Sequence, residues 1–263
     1  MRRRSKRAPR YREPVTSPVF DAETAAAQVV AALRPLADPE RAAQASRYLK
    51  SDLDFLGVSV PGIRAVVTEA ARPRPGLGRE EALAWARALW RAPVHERRIA
   101  AIEVLRRHVR LLRPADLTDV EAWVREAHGW AYADPLAGDI AGRVALLHPD
   151  AWPLIDTWAT DEDFWIRRSA LLTLLPGIRR GGLHRERFER YATPMLAEKE
   201  FFIRKAIGWV LRETAKKDPA YVAAWTRSHL DQMSGVTFTE AVRRLPPGQA
   251  ARLRAAYRKP ARS

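Results

Sequence analysis

The sequence predicts an all-α fold in which short helices stack in pairs. Apolar residues recur at three- and four-residue spacing along nearly the whole chain, in which Ala, Leu and Arg dominate. Runs that alternate apolar and polar residues, as strands do, are missing. A segment of about 36 residues also repeats, as it does in folds built from stacked helix pairs. We therefore predict about a dozen short helices arranged in pairs.

The predicted helices begin and end at Asp, Pro and Gly residues. Asp-Pro pairs at 38–39, 134–135 and 218–219 suit a helix N-cap followed by proline at the first helical position. A break rich in Gly and Pro at 72–78 separates other helices. By this local pattern alone, Asp134 caps a helix.

The internal repeat is clearest in two segments that align without a gap. These are residues 164–175 (FWIRRSALLTLL) and 201–212 (FFIRKAIGWVLR), which lie 37 residues apart. Residues 95–107 (HERRIAAIEVLRR) fit the same pattern earlier in the chain. A period near 36 residues with two helices per unit indicates an α-solenoid of HEAT or armadillo type, whose equivalent helices line one concave surface.

Four residues share the same position in this repeat. Arg98, Arg168 and Lys205 are equivalent in the aligned segments, and Asp134 lies 34 residues before Arg168. Because equivalent positions share a face, we expect a row of cations that contains one carboxylate. A row of this kind also fits a plain solvated face.

Aromatic residues cluster around these positions, which a solvated face does not require. They include Trp130, Trp165 and Trp209. Phe164 and Phe201 open the repeated helices on their apolar side, so we expect both to pack in the core.

Composition excludes several classes of protein. The chain has 263 residues, 47% of them hydrophobic, and nine Trp, which suffices for a packed core. Without Cys there is no disulfide framework and no thiolate zinc site. No apolar run is long enough for a signal peptide or a membrane span. We expect a soluble protein in the cytoplasm.

The net charge of +15 is concentrated at the two ends of the chain. Residues 1–13 hold seven basic residues and one acidic residue, and residues 241–263 hold seven basic and no acidic residues. We divide the chain into a basic, disordered N-terminal arm at 1–17, a helical-repeat domain at 18–245 and a basic C-terminal tail at 246–263. Because the domain itself is nearly neutral, it could bind a nucleic acid only through a local basic face.

The chemistry that the residues offer is narrow. There is no glycine-rich phosphate loop and no nucleophile elbow, and the six His lack metal-binding spacing, so we expect no metal and no cofactor. Tryptophan rings beside Arg and Lys suit a nucleic acid. A carboxylate among phosphate-binding cations suits cleavage of an N-glycosidic bond, since the sugar becomes oxocarbenium-like in the transition state.

Four segments resemble the AlkD family of DNA alkylation-repair glycosylases, which are HEAT-like solenoids. They are WAYAD (130–134), DFWIRRSALL (163–172), EFFIRKAIGWVLRE (200–213) and YLKSDLDFLGVSVP (48–61). The resemblance runs from about residue 40 to about residue 230. It is most specific in the third segment and in the Trp-x-x-x-Asp spacing of the first.

This resemblance implies a monofunctional, monomeric glycosylase that releases cationic N3- or N7-alkylated purines from double-stranded DNA, without a metal and without base flipping. Bulky adducts are among the lesions that it implies. Trp130 and Trp209 would flank the deoxyribose of the lesion. Asp134 would stabilise the sugar cation and orient the water, and Arg168 would hold a backbone phosphate. Such an enzyme would work in the cytoplasm, associated with the nucleoid.

Further DNA contacts follow from the resemblance and from the basic positions of the repeat: Lys205, Arg167, Arg204, Arg212 and Tyr48. Tyr48 comes from the N-terminal segment and could equally be a core aromatic. Pro135 departs from the family pattern and favours Asp134 as a helix cap. A carboxylate has several lone pairs, so one side chain could cap a helix and also face a sugar.

Two non-enzymatic alternatives remain open at this stage. A helical-repeat scaffold or DNA-binding protein could keep the fold without the reaction. An adaptor could use the concave face to bind an acidic peptide.

Overall fold

The computed structural model describes residues 20–257, which fold as helices joined by loops and confirm the predicted all-α solenoid. Each helix packs mainly against helices that lie close to it in sequence. The helices are α1 (Ala22–Leu33), α2 (Pro39–Leu49), α3 (Val60–Ala71), α4 (Arg79–Trp90), α5 (His95–Arg107), α6 (Leu117–Ala127), α7 (Trp130–Pro135), α8 (Gly142–Leu147), α9 (Trp152–Trp158), α10 (Phe164–Leu172), α11 (Leu175–Arg179), α12 (Arg185–Met195), α13 (Phe201–Thr214), α14 (Pro219–Ser228), α15 (Gly235–Ala241) and α16 (Pro247–Ala256).

Two features of the described residues bear on their class. Between residues 20 and 257, the one extended pairing is an isolated bridge from Asp54 to Val94. No helix in that range is both long enough and apolar enough to cross a membrane.

Two of the three Asp-Pro pairs start helices, as predicted. The side chain of Asp38 accepts from the backbone N–H of Arg41 at 3.0 Å, and that of Asp218 accepts from Tyr221 at 3.0 Å. The third prediction is wrong, because α7 already begins at Trp130 and Asp134 lies inside it. Its side chain makes no cap and is free to bond elsewhere.

The two aligned repeat segments have matching starts. Asp163 caps α10 by accepting from Trp165, and Glu200 caps α13 by accepting from Phe202. After Leu172 the first helix ends, because Pro176 cannot donate to the helical ladder, and α11 follows at Leu175. The helix α13 has no proline and continues to Thr214.

The helix that carries Asp134 has an unusual middle. From α7 the chain passes without interruption into a π-helical turn, Leu136–Ala141, and then into α8. Pro135, which lacks an N–H, stands immediately before this turn. The backbone at Leu136 (φ −61°, ψ −45°) and at Gly142 (φ −65°, ψ −30°) is helical, so one helix spans the whole stretch.

The loop after α2 is fixed by a buried carboxylate. Glu96, which is buried, accepts from three successive backbone N–H groups at 2.8, 2.8 and 3.2 Å. These belong to the F-L-G-V stretch 55–58. Gly57 is required there, since its φ is +80° and an added Cβ would lie 2.0 Å from the carbonyl oxygen of Asp38. The F-L-G sequence thus packs against the start of α2, the helix that carries Tyr48 near its end.

The C-terminal part of the chain belongs to the fold up to residue 257. We expected a tail from 246 onwards, but Leu253 of α16 is buried. Tyr257 stacks on Phe238 with ring centroids 3.9 Å apart, and its hydroxyl donates to the Met233 carbonyl at 3.0 Å. The expected N-terminal arm, 1–17, lies outside the described residues.

Candidate active site

Asp134 and Arg168 form a two-armed ion pair between α7 and α10. The Nε of Arg168 donates to Oδ1 of Asp134 at 2.8 Å, and its Nη2 donates to Oδ2 at 2.9 Å. This fork geometry fixes the plane of the carboxylate as well as its position. The pair joins a residue of one repeat to its equivalent in the next.

The guanidinium of Arg168 is enclosed. Its side chain is 4% exposed, compared with 17% for Asp134. The Nη1 donates to the carbonyl oxygen of Phe202 at 2.5 Å, and the guanidinium carbon lies 5.7 Å from the Phe202 ring centroid. Arg168 therefore connects α7, α10 and α13, and it has little surface left for a phosphate. Its predicted contact with DNA stays a prediction.

Trp130 lies one turn before Asp134 and is half-buried. The ring of Tyr48 meets it edge to face, with centroids 5.8 Å apart and planes at 81°. Tyr48 is 74% exposed, so the alternative that it is a core aromatic is wrong. The two rings form an aromatic surface that solvent reaches beside the carboxylate.

Behind Trp130, α7 is held by a buried polar pair. The hydroxyl of Tyr132 lies 2.7 Å from Nδ1 of His95 on α5. Burial lowers the pKa of His95 and raises that of Tyr132. A neutral imidazole and a neutral phenol therefore anchor the helix that carries Asp134.

On the other side of the ion pair, α13 carries Trp209 and Lys205. Trp209 is half-buried, and the guanidinium carbon of Arg212 lies 6.0 Å from its ring centroid. Lys205 donates to the buried Glu240 of α15 at 2.6 Å, and Arg212 and Arg243 bond the same carboxylate.

These cations control the charge of Glu240. Burial alone would raise the pKa of Glu240, but the hydrogen bond from Lys205 and the charges of Arg212 and Arg243 bring that pKa below its usual value. The carboxylate offsets part of the positive charge of Lys205 and Arg212. Both remain half-accessible candidates for contact with DNA.

Arg167 and Arg204 are used differently from Arg168. Each bonds the backbone carbonyl six residues earlier: Arg167 bonds that of Asp161 at 2.5 Å, and Arg204 bonds that of Glu198 at 2.7 Å. Arg167 also pairs with the Glu198 side chain at 2.9 and 2.7 Å. These contacts give both arginines a structural role at the start of their helices.

The equivalent cations of the repeat are each paired with an acid. Arg98 bonds Glu126, Arg168 bonds Asp134, and Lys205 bonds Glu240. The sequence did not point to Glu126 or Glu240, because the partner lies before the cation in one pair and after it in the other two, at unequal separations.

Phe201 differs from its expected place in the core. Its side chain is 53% exposed, and the ring packs edge to face on Phe202 at 5.4 Å. Phe164, its equivalent in α10, is half-buried and lies 4.8 Å from the Trp165 ring. The apolar pattern therefore located the helix start correctly but not the side on which Phe201 lies.

The arrangement can stabilise positive charge. A carboxylate held from behind by a buried guanidinium keeps a lone pair on each oxygen for a group in front of it. Half-buried aromatic rings on α7 and α13, Trp130 and Trp209, offer flat apolar surfaces on two of the helices that the pair connects.

Comparison with known proteins points to DNA repair. Residues 29–245 match the sequence model of a family described as "DNA alkylation repair enzyme". The fold is similar to that of a solved structure described as a predicted DNA alkylation repair enzyme from Enterococcus faecalis, with a TM-score of 0.72 and 24% sequence identity over 80% of this chain and 97% of the other. No curated protein matches the sequence.

Proposed function

Because the chain belongs to the family of DNA alkylation repair enzymes, we propose that it is a monofunctional DNA glycosylase. It hydrolyses the N-glycosidic bond of N3- or N7-alkylated purines in double-stranded DNA. The observation that carries this proposal is that the buried Arg168 donates a hydrogen bond to each carboxylate oxygen of Asp134.

The reaction follows from the charge on the lesion. An alkylated purine carries a positive charge and is a good leaving group, so cleavage needs no strong general acid. As the bond lengthens, positive charge moves from the base to the deoxyribose. A fixed carboxylate stabilises that charge where it develops and accepts a hydrogen bond from the attacking water, whose proton is released as the new C–O bond forms.

Arg168 is a positioning residue in this proposal. Holding the carboxylate in advance means that it need not reorient during the reaction. Trp130 and Trp209 pack against the deoxyribose and keep bulk water from the developing cation. Lys205 and Arg212 attract the backbone phosphates, and Tyr48 extends the surface on the side of α2.

In this proposal the alkylated nucleotide stays within the duplex and is not flipped into an enclosed pocket. Support comes from the partial exposure of Asp134, Trp130 and Trp209, which suits a sugar lying against an open surface. A base that need not fit a pocket can carry a large substituent, so bulky adducts belong to the proposed substrates. The protein acts as a monomer in the cytoplasm, at the nucleoid.

A base-release assay with Asp134→Asn tests the proposal. Duplex DNA carrying one 7-methylguanine is incubated with excess enzyme, and the freed base is measured by chromatography. We expect the single-turnover rate to fall about 10²-fold or more, as when a main charge-stabilising group is removed, with DNA binding retained. Asp139→Asn, in the π-helical turn of the same helix, is the matched control and should stay within about twofold of wild type.

Two results would contradict the proposal. If wild-type protein released no base from any cationic alkylpurine DNA, the enzyme proposal would be lost and a non-enzymatic DNA-binding role would replace it. If wild type were active and Asp134→Asn equally so, the fold would carry the reaction through another group.

A further inference from the structure

An open groove lies between α13, α15 and α16. Its volume is about 790 Å³, and Phe201 and Lys205 of α13 form one side while Arg254 of α16 forms another. Lys205 also takes part in the ion-pair row of the candidate active site. Lys205 is therefore common to the groove and to that row of ion pairs. We call this groove the α16 groove.

The helix α16 lies outside the residues that match the family model. The match to the family ends at residue 245, whereas α16 begins at Pro247. The family sequence pattern thus does not account for Arg254, and its place beside Lys205 follows only from how α16 packs.

The position of α16 is well determined by its contacts. Leu253, next to Arg254, is buried, and Tyr257 stacks on Phe238 of α15. The Tyr257 hydroxyl bonds the Met233 carbonyl at 3.0 Å. Arg254 is therefore presented from a fixed helix, and among the described residues it has no acidic partner within ion-pair distance.

The charges of the α16 groove favour an anion. Arg204, Lys205 and Arg254 line it together with one carboxylate, Glu240. That carboxylate is already bonded by Lys205, Arg212 and Arg243. The net charge is positive, and the charge of Arg254 is not offset.

Phe201 adds a second kind of contact. It is 53% exposed in the α16 groove, although it belongs to an otherwise apolar helix start. An exposed ring beside cations suits a polymer that alternates phosphates with sugars and bases. An acidic peptide would use the cations but gain less from the ring.

We propose that the α16 groove binds the DNA backbone beside the lesion, with Arg254 on a phosphate and Phe201 against a deoxyribose. The chain thereby extends its DNA contact past the family region in one direction along the duplex. The direction relative to the lesion rests on the proposed function, whereas the contact with DNA does not.

The first measurement is the salt dependence of binding to an undamaged duplex. Arg254→Ala should lower affinity at low salt about 3- to 10-fold and reduce the slope of log K against log salt by about 0.9, the value for one lost phosphate contact. Arg252→Ala is the matched control, because Arg252 is exposed on the same helix but does not line the groove. It should leave the slope unchanged. Thermal unfolding of both variants checks that α16 remains in place.

The second measurement locates the contact. Duplexes with an alkylpurine near one end or the other shorten the DNA on one side at a time. The affinity of wild type should fall when the DNA is shortened on one particular side of the lesion. The affinity of Arg254→Ala should not change when the DNA is shortened on that side. Phe201→Ala should weaken binding to the same side without changing the salt slope.

An unchanged slope for Arg254→Ala, or an equal loss for Arg252→Ala, would overturn the proposal. The proposal would also be overturned if Arg254→Ala lost affinity for an acidic peptide and kept its affinity for DNA. Failure of the proposed function is separable, since binding to undamaged DNA does not depend on base release. A protein that released no base could still lose one phosphate contact in Arg254→Ala.

Discussion

Arg168→Lys separates a positioning role from a phosphate-binding role at the same residue. The substitution keeps the positive charge but replaces a planar fork by a single ammonium group. The guanidinium makes three hydrogen bonds, two to Asp134 and one to the Phe202 carbonyl. A lysine at this position can keep about one of them.

The cost follows from the bonds that are lost. One charge-assisted bond contributes about 1.5–3 kcal/mol and the bond to the neutral carbonyl about 0.5–1.5 kcal/mol, so the free energy of unfolding should fall by about 2–4 kcal/mol. Little discount for solvent screening is needed, because Arg168 is 4% exposed. For a chain of this size, the melting temperature should fall by roughly 5–15 °C.

The effect on catalysis should exceed the effect on binding. A carboxylate held by one donor can rotate, so we expect single-turnover base release from 7-methylguanine DNA to slow about 10-fold or more. Binding to the same duplex should change less than about threefold, because the enclosed guanidinium has little surface for a phosphate. Assays below the melting temperature of the variant, at saturating protein, measure the two quantities separately.

Arg167→Lys provides the control for a general loss of packing. Arg167 is adjacent, lies on the same helix and makes comparable bonds to Glu198 and to two backbone carbonyls. It should lower stability without slowing base release at saturation. If Arg168→Lys instead weakened DNA binding as much as it slowed base release, Arg168 would act through DNA binding and the positioning role would be refuted.

Two further predictions concern stability. Gly208→Ala should cost about 1–3 kcal/mol of unfolding free energy, because the added Cβ would lie 2.6 Å from Cβ of Glu240 and 3.0 Å from the Thr237 carbonyl oxygen, forcing α13 and α15 apart. Gly248→Ala, whose Cβ would meet nothing within 4 Å, should be neutral or stabilising in the same urea titration, and equal losses for both would contradict the packing argument. Acid should also destabilise the protein through His95, because burial holds its folded-state pKa below the ordinary value, so the unfolded chain takes up the proton first as pH falls. The contribution is complete above about pH 6.5 and falls by at most about 1.4 kcal/mol per pH unit below it. Urea titrations at pH 7.5 and 5.5 should show a smaller difference for His95→Gln than for wild type, and an unchanged difference would exclude His95 as a source.

The sequence predicted what depends on local bonding and periodicity. Asp38 and Asp218 cap helices because their oxygens bond N–H groups of the next turn, which requires no tertiary contact. Asp134 has the same Asp-Pro neighbour, yet Gly129 had already allowed the helix to begin at Trp130. The Asp-Pro pattern predicted the helix start correctly where the helix had not already begun at an earlier residue.

The sequence predicted which residues belong to the candidate site but not which ion pairs and hydrogen bonds they form. Asp134 and Arg168 were placed at equivalent positions by the repeat, and the structure brings them into contact. Their burial depends on how α13 covers α10, and no periodicity encodes that. For the same reason the pairing of Lys205 with Glu240 and the exposure of Phe201 were not foreseen.

The π-helical turn at Leu136–Ala141 determines which way Asp134 faces. In an uninterrupted α-helix, residues eight positions apart differ by about 80° around the axis. A π turn acts as one inserted residue, so Asp134 and Gly142 are separated by the equivalent of seven residues and lie within about 20° of each other. Asp134 bonds Arg168, while Gly142 lies so close to Thr173 that a Cβ would be 2.5 Å from its carbonyl oxygen. Both ends of the helix thus meet the segment 168–173. Regular α-helical geometry over the same number of residues would rotate one end by about 100° relative to the other and separate these contacts, so the phase of the helix, as much as any side chain, places the carboxylate.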